Sequence, residues 1–267
     1  MKKSALLLTL ALAGLLAKSA SAQVFVGSDD FNSGLVTANW DYSYRLYGAT
    51  QGDLSFTNNR LDFTKSSGQG NQFRLWNSDG TGAPNVTPAS YGTSWSMTLS
   101  TTNLLTGFGV GEYTTIGLQV FNDASSYAAV MLSAGSDGLF ARTEGTGISS
   151  VNTPLTGNTD VYLRLSWDAG AKTLGAAYSL DNGNYTTLAL FLPVTQWDNS
   201  NPSLAVSNGF NFGVFGNSNM AAAISVGSVY ADNFSVSAVP EPSTYAALAG
   251  LGALGLAYWR RRAASRA

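Results

Sequence analysis

Two glutamates, Glu112 and Glu144, stand between residues 23 and 239, and neither has an acidic residue two positions away. Hydrolysis of a glycosidic bond takes two carboxylates flanking that bond, one as acid and one as base or nucleophile. Carboxylates at i and i+2 of a strand share a face, and no such pair of glutamates is present. The chain has no cysteine and no histidine. Thiol catalysis, His general bases, Ser-His-Asp triads and the common zinc sites go with them. Oxygen-ligand metals remain, calcium first. Asp29, Asp30 and Asp232 are the candidate calcium ligands, for a structural site completed by backbone carbonyls. Asp79-Gly80, Asp137-Gly138 and Asp181-Asn182-Gly183 read as turns and not as a calcium loop. For carbohydrate contact the candidates are Arg74, Trp76 and Arg142, because sugar rings stack on aromatics and guanidinium groups donate to hydroxyls. In Gln72-Phe73-Arg74-Leu75-Trp76, Phe73 and Leu75 point one way while Arg74 and Trp76 point the other. Phe140 and Arg142 likewise share a face, and Tyr127 and Trp197 are further aromatic candidates. Gly107-Phe108-Gly109-Val110-Gly111 leads into neither a helix-like segment nor a basic residue, so a phosphate loop is excluded.

The elements that must position these residues are strands. Val161, Leu163, Leu165 and Trp167 alternate with polar neighbours, as do Trp95, Met97 and Leu99. Arg60–Thr64 and Thr114–Phe121 alternate more weakly. Such segments bury one face and leave the other polar. Asp168–Lys172 and Asp181–Asn184 supply turns, where Asn-Gly steps allow positive φ at low steric cost. They predict a three-strand meander through Val161–Trp167, Thr173–Leu180 and Tyr185–Phe191. Many short strands with such turns predict an all-β sandwich or barrel. Asn77–Ser90 and Thr195–Asn208 are the expected long loops.

Both ends of the chain differ from this middle. Lys2 and Lys3, an apolar Ala5–Ala17 stretch and Ala20-Ser21-Ala22 form a signal peptide over residues 1–22, with cleavage after Ala22. At the other end, Pro240-Glu241-Pro242-Ser243 precedes an apolar run of fifteen residues, Tyr245–Trp259, and then Arg260-Arg261-Arg262. A helix of that length spans roughly 22 Å at ~1.5 Å per residue, and the basic cluster marks its cytoplasmic end. The predicted units are therefore 1–22, a β-domain at 23–238 and a C-terminal sorting segment at 239–267. Between the two ends, seven basic residues face fifteen acidic ones, a net charge of −8, although the whole chain reads −2. An acidic body lacks the basic footprint that nucleic acid requires.

The C-terminal segment resembles the PEP-CTERM sorting signal of Gram-negative bacteria, carried by Pro240, Glu241 and Pro242, the apolar helix and the arginine cluster. The resemblance implies an exosortase-type membrane protease as partner and a membrane-anchored precursor held by a C-terminal transmembrane helix. The processed protein is then expected at the cell surface or secreted, among exopolysaccharide. A second resemblance covers the body. Asp29-Asp30-Phe31-Asn32, the meander through Leu163–Trp167 and Ala177–Gly183, Phe212–Gly216 and Val229–Val236 follow one another as in a concanavalin A-like lectin/glucanase jelly roll. This implies a two-sheet antiparallel jelly-roll sandwich whose first and last strands are neighbours. With no paired-glutamate motif, the expected function is a non-catalytic surface or matrix protein that binds extracellular polysaccharide. The alternatives are a structural or adhesion protein without a small-glycan site and a divergent glycoside hydrolase using aspartates.

Overall fold

The computed structural model describes residues 28–33, 40–44, 53–56, 58–68, 71–77, 89–90, 92–121, 127–145, 150–156, 160–191 and 209–238. It also describes five positions of a C-terminal helix, Gly250, Gly252, Leu254, Gly255 and Trp259. The predicted signal peptide, Pro240-Glu241-Pro242 and Trp197 lie outside the described residues, as does most of the predicted transmembrane helix. Among the described residues no helix is long and apolar enough to cross a membrane.

The strands are β1 (Trp40–Tyr44), β2 (Asp53–Ser55), β3 (Leu61–Thr64), β4 (Asn71–Asn77), β5 (Ala89–Ser90), β6 (Trp95–Asn103), β7 (Tyr113–Phe121) and β8 (Tyr127–Gly135). They continue with β9 (Gly138–Gly145), β10 (Asn152–Leu155), β11 (Asp160–Asp168), β12 (Thr173–Ser179), β13 (Thr186–Phe191), β14 (Gly209–Ser218) and β15 (Val229–Ala238). They form two antiparallel sheets. One has eight strands in the order β1-β4-β14-β7-β8-β9-β10, with β5 also on β14. The other has seven, β13-β12-β11-β6-β15-β3-β2. The predicted meander is β11-β12-β13.

Alternation dictates the core. Along β11, Val161, Leu163, Leu165 and Trp167 are buried and their neighbours are not. Trp95, Met97 and Leu99 do the same on β6. From the other sheet, Phe73, Leu75, Ile116, Leu118, Val120 and Val214 face them. Trp95 packs edge-on to Phe210 and Phe212, with ring centroids 5.2 and 4.8 Å away. Each fully buried aromatic contributes roughly 1.5–3 kcal/mol. Gly216 permits part of this packing: a Cβ there would lie 2.2 Å from Phe73 Cε1.

The first and last strand regions meet, as the jelly-roll resemblance implies. Asp29 N–H donates to the Phe234 carbonyl and Phe234 N–H to the Asp29 carbonyl, both at 2.9 Å. Phe31 and Phe234 are both buried. Phe31 sits at φ 53°, a left-handed conformation unusual for a bulky residue. The Asp29 carboxylate holds it there by accepting from Phe31 N–H at 2.8 Å.

Candidate functional site

The aspartates of the candidate calcium site all have local duties. Asp29 is buried, and its second oxygen accepts from Trp40 Nε1 at 2.7 Å. Asp30 accepts from the backbone and the side-chain amide of Asn32 at 3.1 and 2.6 Å. Asp232 accepts from Asn233 N–H at 2.7 Å. Burial raises the Asp232 pKa, the Asn233 hydrogen bond opposes that, and the nearby Asp30 charge adds to it. Among the described residues, no group of three or more acidic side chains is placed to hold a metal ion.

A different surface collects polar residues from five strands, some paired with one another and some not. On the outer face of the eight-stranded sheet, a groove of about 640 Å³ runs across β4, β14, β7, β8 and β9. Period two builds its floor. Phe73 and Leu75 go into the core, so Gln72 faces out from β4. Ile116, Leu118 and Val120 go in from β7, so Thr115 and Gln119 face out. On β8, Ala128, Val130 and Leu132 go in while Ala129 and Met131 face out, where they form a small apolar island with Phe215.

The register orders these residues into cross-strand rows. One row runs Ser43, Arg74, Phe215, Gly117, Met131, Arg142, Asn152. The next runs Asp41, Trp76, Gly213, Gln119, Ala129, Glu144. On the other side come Gln72, Asn217, Thr115, Ser133 and Phe140. Arg74 and Arg142 therefore share a row, on opposite banks. Four strand spacings of ~4.8 Å separate their backbones, ~19 Å in all. Trp76 takes the same β4 bank one row over; the side chains of Arg74 and Trp76 lie outside the described ones. Gly117 keeps the middle of its row tight. A Cβ there would meet the Val130 carbonyl oxygen at 2.2 Å and Met131 Cα at 2.7 Å.

Two groove atoms are buried without a hydrogen-bond partner among the described residues: Gln72 Oε1 and Arg142 Nε. Gln72 is only 5% exposed. Buried polar atoms are nearly always paired, so one orphaned acceptor and one orphaned donor in the same groove mark a place where a ligand can supply the partners. Glu144 accepts from Tyr127 OH at 2.6 Å and lies 3.6 Å from Arg142 Nη2. Among the described residues it is the one carboxylate lining the groove. Paired-carboxylate glycoside hydrolysis needs a second within about 5–10 Å. The other glutamate, Glu112, sits in a turn, where the N–H groups of Gly109 and Ala221 hold its carboxyl below the usual range.

Of the predicted contacts, the register brings Arg142 and the Arg74 and Trp76 backbones to one groove. Gln72, Gln119, Phe215 and Met131 escaped the sequence reading. The Ala128–Leu132 run is apolar throughout and hides its alternation. The signal for Gln72 was available: it shares the parity of Arg74 and Trp76.

Comparison with solved structures places the fold. A Bacteroides ovatus protein described as xyloglucan PUL GH43B matches with TM-score 0.55 and 12% identity, over 81% of this chain and 40% of that one. A mutant of the GH43 protein BlXynB from Bacillus licheniformis matches with TM-score 0.52 and 11% identity, over 79% and 38%. A legume lectin-like domain from Entamoeba histolytica matches with TM-score 0.51 and 12% identity, over 82% of this chain and 100% of that one. This chain thus spans about two fifths of the GH43 proteins but the whole of the lectin-like domain. No curated protein matches it in sequence. Residues 238–262 match the PEP-CTERM protein-sorting motif. The chain is a jelly-roll β-sandwich, similar in fold to a legume lectin-like domain and to GH43 proteins, that ends in a PEP-CTERM sorting motif and so marks an exported, membrane-anchored bacterial precursor.

Proposed function

We propose that this protein is a non-catalytic surface or matrix protein that binds extracellular polysaccharide along the groove of the eight-stranded sheet. The observation that carries this reading is the pair of buried, unpartnered atoms, Gln72 Oε1 and Arg142 Nε, in one groove. An unpaired buried polar group costs ~1–3 kcal/mol, and a ligand hydroxyl that reaches it removes that cost. Sugar hydroxyls both donate and accept, so one ligand class serves both atoms. Phe215, Met131 and Ala129 pack together in the floor of the groove and are almost fully covered. The fold is shared with a Bacteroides ovatus xyloglucan PUL GH43B protein and with a legume lectin-like domain, although a shared fold does not fix a function. The non-catalytic part of the reading is supported by the single described groove carboxylate, Glu144, which Tyr127 and Arg142 already engage.

A glycan array probed with the full-length protein tests the binding. Retention of at least one polysaccharide, lost in an Arg142→Ala variant, is the expected result; a blank array sinks the reading. Release of reducing sugar that disappears in Glu144→Gln would overturn the non-catalytic assignment. The sorting motif further supports cleavage near Pro240-Glu241-Pro242 by an exosortase-type membrane protease. Mass spectrometry of the mature protein is expected to show loss of Arg260-Arg261-Arg262, and an intact tail would contradict it.

A further inference from the structure

We infer that the last four residues of β15, Ser235–Ala238, act as a latch on processing: they leave β6 before a protease can close on Pro240-Glu241-Pro242. The inference rests on the processing reading of that segment above and adds what the folded body does to it.

Spacing sets the problem. β15 runs to Ala238, and the sorting motif matches from residue 238 onward. Only Val239 stands between the strand and Pro240. A protease holds its substrate as an extended segment on both sides of the bond it cuts, through backbone hydrogen bonds to an added strand. On the amino side of Pro240 that segment is already committed. Ser235, Val236, Ser237 and Ala238 pair with Thr98, Met97, Ser96 and Trp95 of β6. The membrane leaves little room to reach around them. The apolar run begins at Tyr245, so an extended chain from Ala238 reaches it over at most ~25 Å. The polar layer of the bilayer takes ~5–8 Å of that span.

The strand also carries a place to part. Its register with β6 shifts between Asp232 and Ser235. Asn233 sits there at φ 53°, and the two hydrogen bonds between Phe234 and Asp29 clamp the division. On the amino side of the shift, Tyr230 and Ala231 pair with β3 as well as β6, and Val229 and Ala231 are fully buried. On the carboxyl side, among the described residues, the strand pairs with β6 alone. Ser235 and Val236 are half-buried there and Ser237 is exposed. Local opening is easiest where few apolar contacts are buried, so the second half of β15 opens before the first. Its release adds four residues, ~14 Å of extended chain, ahead of Pro240 while Phe234 and the core stay in place.

The chain has no cysteine, so a cross-strand disulfide can lock the latch. Ser96 and Ser237 are paired on β6 and β15, and paired antiparallel positions lie within disulfide reach. The test follows C-terminal processing of the full-length precursor by pulse–chase in the bacterium that makes it, with the product's end read by mass spectrometry. Ser96→Cys/Ser237→Cys is expected to cross-link on the oxidising, exported side. It should then be processed about tenfold more slowly than either single variant. Reductant during the chase, or a Gly/Ser insertion of about ten residues after Ala238, should each restore the rate. Separately, hydrogen exchange of the purified precursor should show the β6-bonded amides of Ser235–Ala238 opening faster than those of Val229–Asp232. A cross-link that does not form, a locked strand processed at the single-variant rate, a lock that the insertion does not relieve, or equal protection in the two halves overturns the inference. An intact Arg260-Arg261-Arg262 tail in every form, the unmodified chain included, overturns the processing reading beneath it.

Discussion

On the outer face of the seven-stranded sheet, Thr98 Oγ1 and Ser235 Oγ lie 2.8 Å apart. Arg164 stacks over Tyr185 with its guanidinium carbon 4.0 Å from the ring centre. Near that face, Asp29 and Asp30 each accept two hydrogen bonds. On the outer face of the eight-stranded sheet, Gln72 Oε1 and Arg142 Nε are buried and unpaired. Both faces come from the same period-two pattern and both are rich in hydroxyls and amides. Their difference shows that polar composition does not identify a binding surface. What sets the groove apart is that two polar atoms facing it have been taken out of water without a partner, whereas Trp95 Nε1, the third such atom among the described residues, lies in the core.

That contrast can be broken by substitution. The largest effect is expected from Asp29→Ala, which strands two donors, Phe31 N–H and Trp40 Nε1. At ~1–3 kcal/mol for each buried unpaired group, unfolding in urea should show a loss of ~2–6 kcal/mol. A loss well under ~1 kcal/mol would mean that the paired side does not depend on its hydrogen bonds. Gly117→Ala comes next. Its Cβ would strike the backbone of β8, and overpacking of this kind costs ~1–3 kcal/mol. Thermal melts check it, and an unchanged midpoint would show that β7 and β8 can part.

The sharpest comparison is one of sign. Gln72→Met removes an orphaned acceptor and is expected to stabilise the protein by ~1 kcal/mol while weakening glycan binding. Thr98→Val removes one partner of a satisfied hydroxyl pair and is expected to destabilise it by ~1 kcal/mol. Parallel denaturant melts decide between them; equal signs would dissolve the distinction between the two faces.

The smallest effect is in pH. The N–H groups of Asn184 and Gly183, followed by the Asn184 and Ser179 side chains, hold Asp181 far below the usual carboxylate range. A depressed folded pKa contributes stability above the unfolded value, and that contribution is lost as the pH falls from about 4 downward. Burial moves Asp232 the other way. Its cost is present at neutral pH and is relieved as the pH falls through its raised value. Asp181→Asn should therefore lose less stability on acidification than the unmodified protein, and Asp232→Asn should lose more. Melts at neutral and acid pH measure both shifts, and identical shifts for the two variants would contradict the opposed signs.

Much of this was legible in the chain itself. Val161, Leu163, Leu165 and Trp167 announce a half-buried strand because side chains alternate every residue, and the same rule put Phe73 and Leu75 inside. Asp168–Lys172 and Asp181–Asn184 are turns, because their residues tolerate the required backbone or accept from it. The C-terminal end declares itself through the Pro240-Glu241-Pro242 segment, since a sorting motif is read from one contiguous stretch of chain. The aspartates were harder. Asp29 next to Asp30 suggests a cation site, yet the folded chain uses Asp29 to hold Phe31 and Trp40.

By itself, the sequence determined the parity of the strands, the acidic body, the lack of thiol and imidazole chemistry, and the export address. These depend on neighbours along the chain or on composition alone. Only the tertiary structure decided that β14 lies between β4 and β7, and that Arg74 and Arg142 therefore stand four strand spacings apart in one row. It also decided that Gln72 is covered while its oxygen stays unpaired. Alternation tells a side chain which face it takes. Which strands lie alongside, and so which polar groups find partners, depends on pairings between distant segments that no local period encodes.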